Sequence, residues 1–370
     1  MFDDNGDLII FLIVVGLRLI VPLFIPRFPL PAIIAAMLLD AADQTIFQKW
    51  TTIDTGASYQ SYDKALDIYY LTIAYLSTMR NWGNLTAFEA GRFLLYYRLI
   101  GVLIYEFTHE RWVLFIFPNT FEYFFIFYEA IRLRWNPKRM SPKVVWGAVA
   151  FIWIFIKLPQ EYWIHIAQND VTDTLKEHPG LIPVIAVVVV ALIAAGYWIV
   201  KHKCPPADWS PSFTDPMKRE GTDVNYNNAE RRLFAGRGFD RALVEKVILV
   251  SLICVIFGQI LPNSNVGDVT LAIGVAAVII GNMFVSELLR KRDVQWKNLM
   301  RQFIAMFLVN AAIAGGIILF FSRDNDGGAS VNRGNLAFFL FLITILVVLF
   351  DAFRPFYRQR LEASQLRAVD

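Results

Sequence analysis

Apolar segments long enough to cross a lipid bilayer recur along the whole of this chain, and that recurrence limits its fold more than any other feature. A spanning helix needs roughly 20 mostly apolar residues. Eleven segments meet or approach that length: 8–25, 31–48, 65–80, 93–110, 112–132, 144–167, 181–200, 244–262, 268–287, 302–322 and 335–352. The composition agrees, at 56% hydrophobic and 18% charged. A soluble chain carries about a quarter charged residues and is less than half apolar. The two cysteines, Cys204 and Cys254, exclude a disulfide scaffold. The expected fold class is therefore all-α, a polytopic integral membrane protein with about 11 transmembrane helices. The first segment has no basic stretch before it and is followed by Pro26-Arg27-Phe28-Pro29 rather than a small-residue cleavage site. It reads as a retained helix rather than a signal peptide.

The basic residues orient these spans. Cytoplasmic segments are enriched in Lys and Arg. With the acidic N-terminus (Asp3, Asp4, Asp7) outside, the inside segments are 26–30, 80–92, 132–143, 201–243, 288–301 and 353–370. They hold 25 of the 35 Lys and Arg; the outside segments hold 6 and the spans 4. An error of one span in the first half would scramble this segregation. The C-terminus is thus predicted to be cytoplasmic. Trp50, Trp112 and Trp163 fall near the outer boundary and Trp82, Trp146 and Trp198 near the inner one, as interfacial belts require. The net charge of +3 is spent on the inner surface. It predicts contact with anionic lipids there and no nucleic acid.

The longest polar stretch, 201–243, is a basic linker containing Pro and Gly. It divides the chain into a seven-helix membrane part, 1–200, and a four-helix part, 244–370, with a basic cytoplasmic tail. The linker is too short for a nucleotide-binding domain, and Gly236 and Gly238 complete no phosphate-loop motif. The tail 353–370 suits an inner-surface amphipathic helix or a solvated end. Spans 7 to 11 are bland, with Asn282 and Asn310 as their main deep polar groups, and could dock a membrane partner or a second copy. The one N-x-[ST] match, Asn84-Leu85-Thr86, falls on the predicted inside. Short loops and the absence of targeting signals suit a bacterial inner membrane.

Spans 2 to 6 differ in carrying many ionisable groups. Charge at membrane depth is expensive and marks function by default. In span 2, Asp40, Asp43 and Gln44 lie at i, i+3 and i+4, on one helical face. Glu106, His109 and Glu110 repeat that spacing in span 4. In span 6, Lys157, Gln160, Glu161 and His165 form one stripe, and in span 5 Glu122 and Glu129 are two turns apart. The expectation is a polar cavity between spans 2, 4, 5 and 6, opening outward and lined by Asp40, Asp43, Gln44, Glu106, Glu122, Lys157, Gln160 and Glu161. Arg98 and Glu129 are a candidate structural ion pair. Pro118 and Pro159 each lie within a polar span and could break it.

Three functions fit this pattern. The first is a secondary transporter of a small solute or cation, coupled to protons through the intramembrane acid and His groups. The second is a membrane-embedded enzyme acting on a lipid or isoprenoid-linked substrate at the outer leaflet. Glu106, His109, Glu161 and His165 would then hold a divalent metal such as Zn, Mn or Fe or act as general acid and base. The third is a non-catalytic subunit or scaffold. Asp40-Ala41-Ala42-Asp43 resembles the D-x-x-D of membrane prenyltransferases and CDP-alcohol phosphotransferases but lacks the continuation of either pattern. No nucleophile elbow is present, and the four His are too few for desaturase boxes.

Overall fold

The computed structural model describes residues 5–51, 57–167, 174, 178–208, 241–260, 268–290, 299–322 and 333–367. Among them every regular element is a helix. Helix α1 (Asn5–Ile20) runs through a 3-10 turn (Val21–Phe24) toward α2 (Pro29–Trp50). Pro29 opens α2 where a missing amide hydrogen costs nothing. Helix α3 (Ala57–Asn81) is followed by α4 (Leu85–Thr108). The Asn84 side chain caps α4 by accepting from the Ala87 amide at 3.1 Å. Helix α4 ends at His109, whose φ of 54° is left-handed, a common helix stop.

The predicted fifth span, 112–132, is two helices. Helix α5 (Trp112–Ile116) and α6 (Thr120–Arg132) are separated by Phe117, Pro118 and Asn119. Proline disfavours the helical conformation for the residue before it, and Phe117 has φ −106° and ψ 65°. The 13 residues of α6 extend about 20 Å at 1.5 Å each, short of a hydrocarbon core of about 30 Å.

Helix α7 (Pro142–Ile166) stays continuous by widening. Two π-helical stretches, Ile152–Lys157 and Tyr162–Ile166, flank Leu158–Glu161. The amides of Leu158 and Ala167 reach carbonyls five residues back, on Trp153 and Tyr162. Pro159 sits between these wide turns, which relieve the clash its ring would make with the carbonyl four residues earlier. The remaining helices are α8 (Leu181–His202), α9 (Arg241–Ile260), α10 (Asp268–Arg290), α11 (Leu299–Ser322) and α12 (Arg333–Arg367). Helix α12 runs through the predicted tail to residue 367 without a break.

Five stretches are long and apolar enough to cross a membrane by length and composition: Gly6–Phe24, Pro29–Phe47, Pro142–Ile166, Ala242–Gln259 and Gly334–Arg360. Helix α3 carries Asp63, Lys64 and Asp67, yet it is the innermost helix. Every residue from Ile68 to Trp82 is buried, and α1, α2, α4, α6, α9 and α12 pack around it. At its far end Trp82 stacks on Tyr128, with ring centroids 4.0 Å apart. By contrast, α8 has no substantial packing partner among the described helices, and apolar side chains such as Val187 and Val190 are about two-thirds exposed.

Polar contacts tie the helix ends together on one side of the molecule. Arg80 and Asn81 donate to the Pro26 carbonyl at 2.6 and 2.9 Å. Asn84 donates to the carbonyls of Pro137 and Met140. Arg360 donates to those of Trp82 and Arg80, each at 2.7 Å. Asp208 holds the turn after α6 through the Arg139 side chain and the Asn136 amide. The second part of the chain joins the first through Tyr75 to Glu245 at 2.7 Å and Tyr357 to Glu89 at 2.8 Å.

Gly101 of α4 lets the break between α5 and α6 press against it, because a Cβ there would overlap the Phe117 Cβ. Gly101→Val is expected to destabilise the fold by about 1–3 kcal/mol. Thermal unfolding in detergent checks this, with Gly147→Val, where a Cβ meets open space, as the comparison.

Candidate functional site

The first spans converge on one guanidinium. Arg18 of α1 is 3% exposed and donates to four carboxylates: Asp40 and Asp43 of α2, Asp63 at 2.8 Å and Asp67 at 3.0 Å, both of α3. Asp40 and Asp43 are three apart on α2, and Asp63 and Asp67 four apart on α3, so each helix presents both acids from one face. The planar fork of Arg, with five N–H donors, can serve several carboxylates at once. Asp43 is fully buried, whereas the side chains of Asp40 and Asp63 remain 26% and 30% exposed.

A second network begins one turn further along α3. The Tyr70 hydroxyl donates to Glu122 of α6 at 2.6 Å. The Asn119 side chain donates to the other Glu122 oxygen at 3.1 Å. The Asn119 amide donates to Glu161 of α7 at 3.1 Å, and Glu161 meets the His165 ring at 3.0 Å. Lys157 lies 3.8 Å from Glu122 and 4.0 Å above the Tyr123 ring. Arg98 of α4 donates to the Phe117 carbonyl at 2.9 Å. The break in the fifth span therefore lies at the centre of this network.

The two networks share one field. Asp67 interacts electrostatically with Glu122 and Lys157. Lys64 does so with Asp63, Asp67, Glu106 and Arg98, and Arg98 with Glu161. Together they hold seven carboxylates (Asp40, Asp43, Asp63, Asp67, Glu106, Glu122, Glu161) and four cations (Arg18, Lys64, Arg98, Lys157). Fully ionised, the cluster has an excess of negative charge. Uncompensated charge in a protein interior is expensive, and only Asp40 and Asp63 are relieved by appreciable exposure, at 26% and 30%.

The predicted site residues fall into three groups. Asp40 and Asp43 join Arg18; Glu122, Lys157 and Glu161 join the helix break, with Gln160 bonded to Tyr123 beside them; Glu106 is buried near Lys64. The Gln44 side chain lies outside the described residues. His165 reaches Glu161, but His109 ends α4 as an exposed residue against the Tyr105 ring. Among the described residues the metal-compatible group is instead Asp40, Asp63 and Asp67, with ligand oxygens within 4.8 Å of one another. The Arg98–Glu129 ion pair does not form. Glu129 is held by Arg132 on its own helix and by the Trp82 indole at 2.8 Å, while Arg98 turns to the carbonyl that Pro118 frees.

Arg18, Asp63, Lys64, Asp67 and Tyr70 escaped the sequence reading. The signal was present: Asp63, Asp67 and Tyr70 lie at i, i+4 and i+7, one helical face. It was hidden because Asp63 and Lys64 fall just ahead of the predicted third span.

The chain matches no family model, no curated protein and no solved structure. Its site therefore has to be understood from its own residues. Arg18→Gln would leave four carboxylates facing one another without their cation. Breaking a buried ion pair from one side costs about 3–5 kcal/mol. Denaturant unfolding in detergent is expected to show a loss of that size for Arg18→Gln and a smaller one for Asp63→Asn, whose carboxylate is partly solvated.

Proposed function

We propose that this chain is a multi-pass membrane carrier that moves a small solute or cation coupled to protons through its interior carboxylates. The observation that carries the reading is the imbalance of seven carboxylates against four cations at the centre of an apolar helical fold. Such a cluster binds protons or cations as a condition of its own stability. The break at Phe117–Asn119 supports the same reading. Irregular backbone at membrane depth is tolerated where it is buried in protein or lines a cavity, and carriers place their sites at such breaks.

In this reading the chain crosses the bilayer eleven times, with the N-terminus outside and the C-terminus cytoplasmic. The segments assigned to the inside by their basic residues support it. Residues 26, 80–84, 132–140, 208 and 360 meet at one end of the bundle. Anionic lipids are the expected partners of that end, and α8 is the exposed surface available to lipid or a second copy. The short connections suit a bacterial inner membrane.

The test is flux in liposomes holding the full chain and a pH-sensitive dye. A pH gradient is imposed with sodium, potassium, acetate or phosphate on one side. The parent should dissipate the gradient faster than empty liposomes in at least one condition, and Glu122→Gln should slow it at least about tenfold. A parent no faster than empty liposomes in all four would sink the carrier reading.

The proximity of the Asp40, Asp63 and Asp67 oxygens favours a second reading, a metal-dependent membrane enzyme. Elemental analysis of the purified chain decides it. About one or two divalent ions per chain, lost in Asp63→Asn, would support it, and a metal-free parent would remove it.

A further inference from the structure

Arg98 is a buried cation with few partners. It is 5% exposed, deep in α4, yet no carboxylate lies within ion-pair distance among the described residues. Its one hydrogen bond goes to a neutral acceptor, the Phe117 carbonyl, and its Nε has no partner. A buried guanidinium left this way costs far more than one that is paired. The grouping around Arg18 shows what the chain does elsewhere, where a single Arg is given four carboxylates.

The same place holds further unused groups. Thr120, the first residue of α6, is 1% exposed and its hydroxyl has no partner. Asn119 precedes it at 6% exposure with its side-chain oxygen unpartnered. Helix α6 is 13 residues long, and its N-terminus carries partial positive charge. Lys157 adds a second cation near Glu122. Free donors, a helix N-terminus and two cations thus surround the break, with Glu161 within electrostatic reach of Arg98 but outside ion-pair distance.

We propose that the break between α5 and α6 binds a small monocarboxylate, held by Arg98 and the Thr120 hydroxyl. This deepens the carrier reading by naming the class of solute, and it rests on that reading. A planar carboxylate matches the guanidinium fork, and the unpartnered Thr120 hydroxyl supplies a further donor. A dianion such as phosphate is disfavoured by Glu122 and Glu161, both bonded to Asn119 at the break. A carboxylate entering among these acids brings negative charge into a cluster that already has too much, so its binding requires protons to accompany it. The solute and the proton would then be coupled by charge balance rather than by direct contact.

Binding is tested apart from transport, on the full chain in detergent. Ligand that binds only the folded state raises the melting temperature. Acetate and lactate are the probes; acetamide, chloride and phosphate are the controls. The parent should show a saturable rise of about 5 °C with a carboxylate and none with acetamide, which has the shape of acetate without its charge. Arg98→Lys keeps the charge and loses the fork, and should weaken binding at least about tenfold. Thr120→Val, which keeps shape and removes the hydroxyl, should do the same to a lesser degree. It decides the matter if Arg98→Lys fails to fold. No saturable rise with either carboxylate, an equal rise with phosphate, or a rise unchanged in the foldable variant would overturn the proposal. Liposomes that move protons without any carboxylate binding would overturn it alone, leaving the carrier reading standing.

Discussion

One arginine holding four carboxylates sets the terms for the rest of this fold. Arg18 must be present before Asp40, Asp43, Asp63 and Asp67 can approach one another, because like charges in an interior repel strongly. Its bonds fix α1 against α2 and α3 at one depth. Helix α3 thereby becomes the axis around which six others gather. Its middle is packed by aromatic and aliphatic side chains, and its N-terminal turns carry the acids that meet Arg18.

The second network extends this logic across the helix break. A regular helix satisfies its own backbone and leaves little for side chains to do. At Phe117–Asn119 the ladder is interrupted; Arg98 and Glu161 attach to the Phe117 carbonyl and the Asn119 amide, and Glu122 accepts from the Asn119 side chain. Gly101 permits that attachment by removing a side chain where Phe117 must sit. Sequence-local rules and long-range packing meet here: one proline creates unsatisfied groups, and one glycine brings a neighbouring helix close enough to use them.

Much of the architecture was legible in the sequence, because it follows from hydropathy and periodicity. The all-helical class follows from them, five of the apolar stretches are long enough to cross a membrane, and Asp43, Glu122, Lys157 and Glu161 of the polar stripes are buried. What was not legible depends on contact between distant segments. Arg18 reads as a single charge near a helix end until Asp40 and Asp67 stand beside it. Glu129 and Arg98 are both buried and complementary, yet Arg132 reaches Glu129 from the same helix without any cost in assembly. His109 has the spacing of a ligand, but a left-handed stop places it at the surface. Periodicity assumes that the helix continues, and it fails where the chain ends one.

The wide turns of α7 carry a further consequence. Each π-helical stretch accommodates about one residue more than an α-helix would over the same rise. The stripe of Lys157, Glu161 and His165 therefore depends on an insertion-like irregularity, not only on side-chain identity. Removing one residue between Ile152 and Lys157 would restore a regular turn and rotate everything beyond it by about 100°. The acid and imidazole would remain in the sequence, intact and equally spaced, while leaving Asn119 behind. For this helix the length of a segment is as much a part of the site as the residues that line it.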